Sequence, residues 1–146
     1  NIVTTERLRF DGYRKALTDH GIQYDPSIVV SHPGPFSDDQ FEKYAQTILK
    51  QRRKITAIFA AHDRIAFTFY SVAKSIGLSF PDDLSIVGYD DLHSQGIPLT
   101  TMHQPIYEMG EESMKLISTR IRGSKDGPKS IVLASYMVER DSVAQI

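Results

Sequence analysis

Residues 55–91 read ITAIFAAHDRIAFTFYSVAKSIGLSFPDDLSIVGYDD. Ile55 to Ala61 is an apolar run of strand length. Asp63 to Ile76 has helical spacing and is stopped by Gly77. Leu84 to Tyr89 is a second buried-strand pattern. Two strands joined through a helix of that length call for a crossover, so they lie parallel in one sheet. The unbroken apolar pair Ile86-Val87 fits a strand covered on both faces.

The same alternation extends outward in both directions. Toward the N-terminus, Thr4 or Thr5 caps a helix that carries Leu8, Tyr13 and Leu17, runs to about His20 and is stopped by Gly21. Ile28-Val29-Val30 reads as a short strand, and His32-Pro33-Gly34-Pro35 as a loop. Ser37 with Gln40 three residues later forms a capping box for a helix with Phe41, Tyr44, Ala45, Ile48 and Leu49 on its apolar stripe. Toward the C-terminus, Leu99 to His103 is extended. Pro105 opens a helix that runs to about Arg122 and stops at Gly123, and Ile131 to Val138 is a last strand. The expected fold class is α/β, a mainly parallel open sheet with helices on both faces.

Composition narrows the function. The 146 residues suffice for one compact domain with a core. A formal net charge of −1 gives no overall attraction to nucleic acid or to an anionic membrane. The absence of cysteine excludes disulfides and thiolate metal sites, and fits a reducing cytoplasm. No apolar run reaches membrane-spanning length and no signal-peptide pattern opens the chain, so no membrane partner is expected. The start at Asn1-Ile2-Val3, without Met, is expected of a fragment or a processed chain. The basic cluster Lys50-Gln51-Arg52-Arg53-Lys54 suits a helix C-terminus, where cations face the negative end of the dipole. A nucleic-acid patch is the other reading, without interleaved aromatics to favour it.

In an open parallel sheet, ligands sit beyond the carboxyl ends of the strands. The strand ending at Ala61 delivers His62-Asp63 to that edge, and the strand ending at Tyr89 delivers Asp90-Asp91. Asp63 can equally cap the following helix. Asp90 has no helix to cap, and its two carboxylate oxygens can accept from neighbouring hydroxyls, which is the chemistry of sugar recognition. His20, His32, His62, His93 and His103 form no close ligand pair on one element, so no metal is expected. The chain has no G-x-S-x-G, Walker A or G-x-G-x-x-G motif, and its acidic pairs Asp90-Asp91 and Glu111-Glu112 diverge on a strand or helix. Neither an enzyme nor a cofactor is implied. Ile65, Ala66, Phe67, Phe69, Tyr70, Val72, Ala73 and Ile76 cover more than one face of their helix, so a second partner surface is expected there, within the lobe or on another subunit.

Four segments also carry a family resemblance. ITAIFAAHDRIA (55–66) is similar to T-A-I-F-A-x-N-D-x-x-A, and PDDLSIVGYDD (81–91) to P-x-D-[LI]-S-[IV]-[VI]-G-[FY]-D-[DN]. LTTMHQP (99–105) is similar to L-T-T-[VI]-x-Q-P, and RFDGY with Ala16-Leu17 (9–17) to R-x-x-G-[FY]-x-x-A-[LM]. Glu139-Arg140-Asp141-Ser142 is similar to the R-x-S ending. In this order and spacing the chain resembles the effector-binding domains of LacI/GalR transcriptional regulators.

The resemblance implies a type I periplasmic binding protein-like fold with an incomplete N-terminal lobe. Residues 1–104 would form the C-terminal lobe, lacking its first helix and strand. Residues 105–130 would cross to the N-terminal lobe, and residues 131–146 would return. It implies a helix-turn-helix segment ahead of this stretch as the contact to operator DNA, a cytoplasmic homodimer, and a small polar effector, most often a sugar. Carried over residue by residue, the ligand contacts fall on Arg9, Phe36, His62 and Asp90, with His62 standing where the family has Asn or Asp. The dimer contacts fall on Ile65, Phe67, Phe69, Tyr70 and Leu92. A periplasmic sugar-binding component of a transporter shares the fold and is the alternative.

Overall fold

The structure, a computed structural model, describes residues 4–31, 37–51, 55–92 and 96–144. Its elements in chain order are α1 (Thr4–Asp19), a 3₁₀ turn (Pro26–Ile28), α2 (Asp38–Lys50), β1 (Ala57–Phe59), α3 (Asp63–Ser75), β2 (Ser85–Asp90), β3 (Thr100–His103), α4 (Ile106–Ile121) and β4 (Tyr136–Val138). The sheet order is β1-β2-β3-β4. The first three strands run parallel, and β4 lies antiparallel to β3. The β1–α3–β2 unit is therefore the parallel crossover that residues 55–91 imply.

The pleat assigns the two faces. Ile86 and Gly88 look toward α3, where Ala66, Phe69, Val72 and Ala73 close the core together with Ala45, Ile48 and Leu49 of α2. Phe59 and Tyr89 look the other way, toward α1: the Tyr13 and Phe59 rings lie 6.4 Å apart, and the Arg9 guanidinium lies 3.8 Å over the Tyr89 ring. Helices thus cover both faces. Gly88 is required at its position, because a Cβ there would fall on Asp63 Oδ1 and come within 2.8 Å of Leu99 Cδ2.

Three readings need correction. Ile28-Val29-Val30 is not a strand. Asp25 accepts the Ser27 amide at 2.8 Å and Pro26 opens a 3₁₀ turn through Ile28. A β-branched run becomes a strand only beside a partner, and among the described residues none pairs with it. The last strand covers only Tyr136–Val138, with Val132 90% exposed. Asp63 is the first residue of α3 and not its cap, the N-cap position being His62. The Ser37–Gln40 capping box forms, with Gln40 Oε1 accepting the Ser37 amide at 3.0 Å.

The C-terminal stretch is tied in by side-chain hydrogen bonds. Ser142, fully buried, donates to Ile86 O at 2.6 Å and accepts the Thr100 amide at 2.8 Å. Arg140 donates to Leu99 O at 2.7 Å. In contrast, α4 buries none of its residues.

Candidate functional site

The carboxyl ends of β1 and β2 and the last turn before α4 converge on one polar cluster. At its centre the chain turns through two left-handed residues, Asp90 at φ 123° and Asp91 at φ 55°. Positive φ in consecutive non-glycine residues costs on the order of 1–3 kcal/mol each and is concentrated at functional sites. Here the turn sends the two carboxylates apart. Asp90 faces α1, and Asp91 faces β3 and the C-terminal segment.

Around Asp90, Gln104 Nε2 donates to Oδ1 at 2.5 Å, and Arg9 Nη2 lies 3.7 Å from the same oxygen. Arg9 Nη1 donates to Ala61 O at 2.7 Å and lies 3.1 Å from His62 Nδ1. His62 in turn places Nδ1 3.4 Å from Asp90 Oδ2 and Nε2 3.3 Å from Glu6 Oε1. Arg9 and Asp90 are nearly enclosed, with side chains 12% and 18% exposed, while His62 and Glu6 stay accessible at 35% and 39%. The cluster is a polar floor with an open side, and it carries both donors and acceptors for a small hydroxylated ligand.

Asp63 and Asp91 serve the frame and not the open face. Asp63, 0% exposed, accepts the Leu92 amide and the Thr101 hydroxyl, both at 2.7 Å. Those two bonds hold the 91–92 turn and β3 against the start of α3. Asp91 accepts from His103 Nδ1 at 2.9 Å and from Arg140 Nη2 at 2.6 Å. Burial pushes the Asp91 carboxyl up, but the hydrogen bonds from Arg140 and His103 and their charges outweigh it and hold the group below its ordinary value.

Beside the cluster, an apolar cavity of about 410 Å³ opens between α1, α2 and the free edge of β1. Phe10, Tyr13, Val29, Phe41, Ile58 and Phe59 are among its walls, and Glu6, Arg9 and His62 border it. Such walls offer packing, and the polar groups lie at the border.

Of the sequence-derived ligand residues, Arg9, His62 and Asp90 come together. Phe36 lies outside the described residues. Glu6 and Gln104 were not singled out. Glu6 stands one helical turn before Arg9, which puts both on one face of α1. Gln104 belongs to the L-T-T-x-x-Q-P segment, so each carried a signal. Among the expected subunit contacts, Phe69 is buried in the core at 7% exposure and has no surface to offer a partner. Tyr70 packs on Phe80 with ring centroids 4.7 Å apart, Ile65 and Phe67 are half-buried against the core, and Leu92 is exposed.

Comparison with known proteins gives a consistent placement. The family profile for the periplasmic binding protein-like domain matches residues 1–143. The chain is 36% identical over 142 residues to the HTH-type transcriptional regulator MalR of Clostridium butyricum, covering 94% of the chain and 41% of that protein. It is 31% identical over 149 residues to the HTH-type transcriptional repressor PurR of Haemophilus influenzae, covering 98% and 44%. Among solved structures it is similar to a LacI family transcriptional regulator from Enterococcus faecium with bound ribose. There the TM-score is 0.82 and the identity 30%, over 95% of this chain and 52% of that one. A CelR–cellobiose complex gives a TM-score of 0.76 and 33% identity, over 92% and 41%. The chain spans about half the length of these relatives or less. The chain belongs to the periplasmic binding protein-like domains of the LacI family of transcriptional regulators.

Proposed function

We propose that this chain is the effector-sensing part of a cytoplasmic transcriptional regulator, and that a neutral sugar binds over the Arg9–His62–Asp90–Gln104 cluster. The observation that carries this is the nearly enclosed Asp90 carboxylate, with one oxygen engaged by Gln104 and the other bordered by the His62 ring at 3.4 Å. A carboxylate so placed accepts from ring hydroxyls, and Arg9, His62 and Gln104 add donors around it. Two of the similar structures hold sugars, ribose and cellobiose. The relatives' names support a regulator over a transporter component or a sugar hydrolase.

In this reading residues 1–104 and 131–146 form one lobe and residues 105–130 cross to another. The return of β4 to the sheet and the absence of buried residues on α4 support that division. DNA contact belongs to a helix-turn-helix segment outside this stretch, and a homodimer forms through Ile65, Phe67 and Leu92. Effector binding closes the lobes and shifts the equilibrium between DNA-binding geometries.

The test uses the full-length protein on operator DNA selected from genomic fragments. A sugar that raises its thermal stability should change DNA affinity by about 5- to 150-fold in either direction. A sugar that binds without changing DNA affinity removes the regulator reading.

A further inference from the structure

The contacts of His62 define a proton position. An ionised carboxylate only accepts, so Glu6 Oε1, 3.3 Å from Nε2, places the imidazole proton on Nε2. Nδ1 then carries the lone pair and accepts from Arg9 Nη1 at 3.1 Å. The two Nη1 hydrogens are thereby shared between His62 Nδ1 and Ala61 O. In this tautomer the approach of Asp90 Oδ2 to Nδ1, at 3.4 Å, sets two acceptors side by side and is not a hydrogen bond. Asp90 Oδ1 is engaged by Gln104, and among the described residues no group other than the His62 ring approaches Oδ2, so Oδ2 is the carboxylate oxygen available to a ligand.

We propose that Glu6 is a positioning residue of this site: it fixes His62 in the Nε2–H form, and thereby keeps Asp90 Oδ2 free to accept from a ligand hydroxyl. The opposite tautomer would turn Nδ1–H onto Oδ2, close that acceptor and leave Arg9 Nη1 without its imidazole partner. Among the described residues, the charged groups that face the ring are Glu6 and Arg9 from α1 and Asp90 from the end of β2. Asp63 is turned into the frame toward Leu92 and Thr101, and Asp91 is held by His103 and Arg140. Glu6 does not touch the ligand oxygen. It acts through the imidazole, as an outer carboxylate orients a histidine in many sites.

The inference rests on the proposed site but is measurable without any sugar, so failure to find a sugar effector leaves its test intact. The experiment is a long-range proton–nitrogen spectrum of the full-length protein labelled at histidine, at pH 8, with His62 assigned by loss of its signals in His62→Gln. The expected result is an Nε2-protonated His62 in the wild type and a clear rise in the Nδ1–H fraction in Glu6→Ala. Glu6 is only partly buried, with its side chain 39% exposed, and an unchanged thermal midpoint in Glu6→Ala confirms that the fold is retained. An Nδ1-protonated His62 in the wild type, or a tautomer that Glu6→Ala leaves unchanged, overturns the proposal. A variant that unfolds is replaced by Glu6→Lys, in which a donor stands where the acceptor was, and the same shift toward Nδ1–H is required.

Discussion

Asp90 and its neighbours show how single residues are committed to the site or to its frame. Asp90 sits at φ 123°, and its nearly enclosed carboxylate is held by Gln104 beside Arg9 and His62. Asp63 is committed to the frame. Removing its carboxylate in Asp63→Ala leaves a buried Thr101 hydroxyl and the Leu92 amide without their acceptor, a loss of about 1–3 kcal/mol in urea unfolding. Gly88→Ala drives a methyl group onto that same carboxylate and onto Leu99, and should cost about 1–3 kcal/mol through overpacking. A loss below a few tenths in either variant contradicts the packing described.

At the scale of elements, legibility followed hydrogen-bonding partners. The segment 55–91 could be read because a strand–helix–strand unit supplies its own partners: β1 and β2 pair directly, and α3 covers them. Ser37 and Gln40 form their box within a single turn, so that helix start was equally legible. Ile28-Val29-Val30 was misread because strand formation depends on a neighbour that the local pattern does not contain. The frame role of Asp63 was not legible beside the cap and ligand-edge alternatives, because its partners, Leu92 and Thr101, lie 29 and 38 residues away. The clamp among Asp91, His103 and Arg140 was invisible for the same reason. Its pH behaviour follows from the lowered Asp91 group. A depressed carboxyl contributes stability above the unfolded-state value, and that contribution is lost as pH falls below the ordinary aspartate value of 3.8. Asp91→Asn should therefore lower the thermal midpoint at neutral pH, and the gap from the wild type should narrow in acid below that value. A constant gap across the range would show that the carboxylate charge is not what Arg140 and His103 stabilise.

For the whole molecule, the distribution of exposed apolar surface is the informative feature. Ile106, Tyr107, Met114 and Ile121 on α4 are each at least 60% exposed, whereas α2 and α3 close over a continuous core. On α3 most of the apolar surplus read from the sequence is absorbed within the chain, Phe69 by the core and Tyr70 by Phe80. The proposed dimer surface is thus reduced to Phe67, Leu92 and their surroundings. Phe67→Glu combined with Leu92→Glu should convert the full-length protein to monomer at low micromolar concentration in sedimentation, and an unchanged dimer mass would place the interface elsewhere. The central claim concerns the Asp90 edge. It is tested most directly by titration calorimetry of the full-length protein, with a panel of neutral mono- and disaccharides, against the wild type and Asp90→Asn. Loss of a hydrogen bond to a charged acceptor corresponds to about 1.5–3 kcal/mol, or roughly 10- to 150-fold in affinity. The account predicts that at least one saccharide binds the wild type and is weakened by that factor in Asp90→Asn. Equal affinity for both proteins, or no saccharide binding at all, would contradict it.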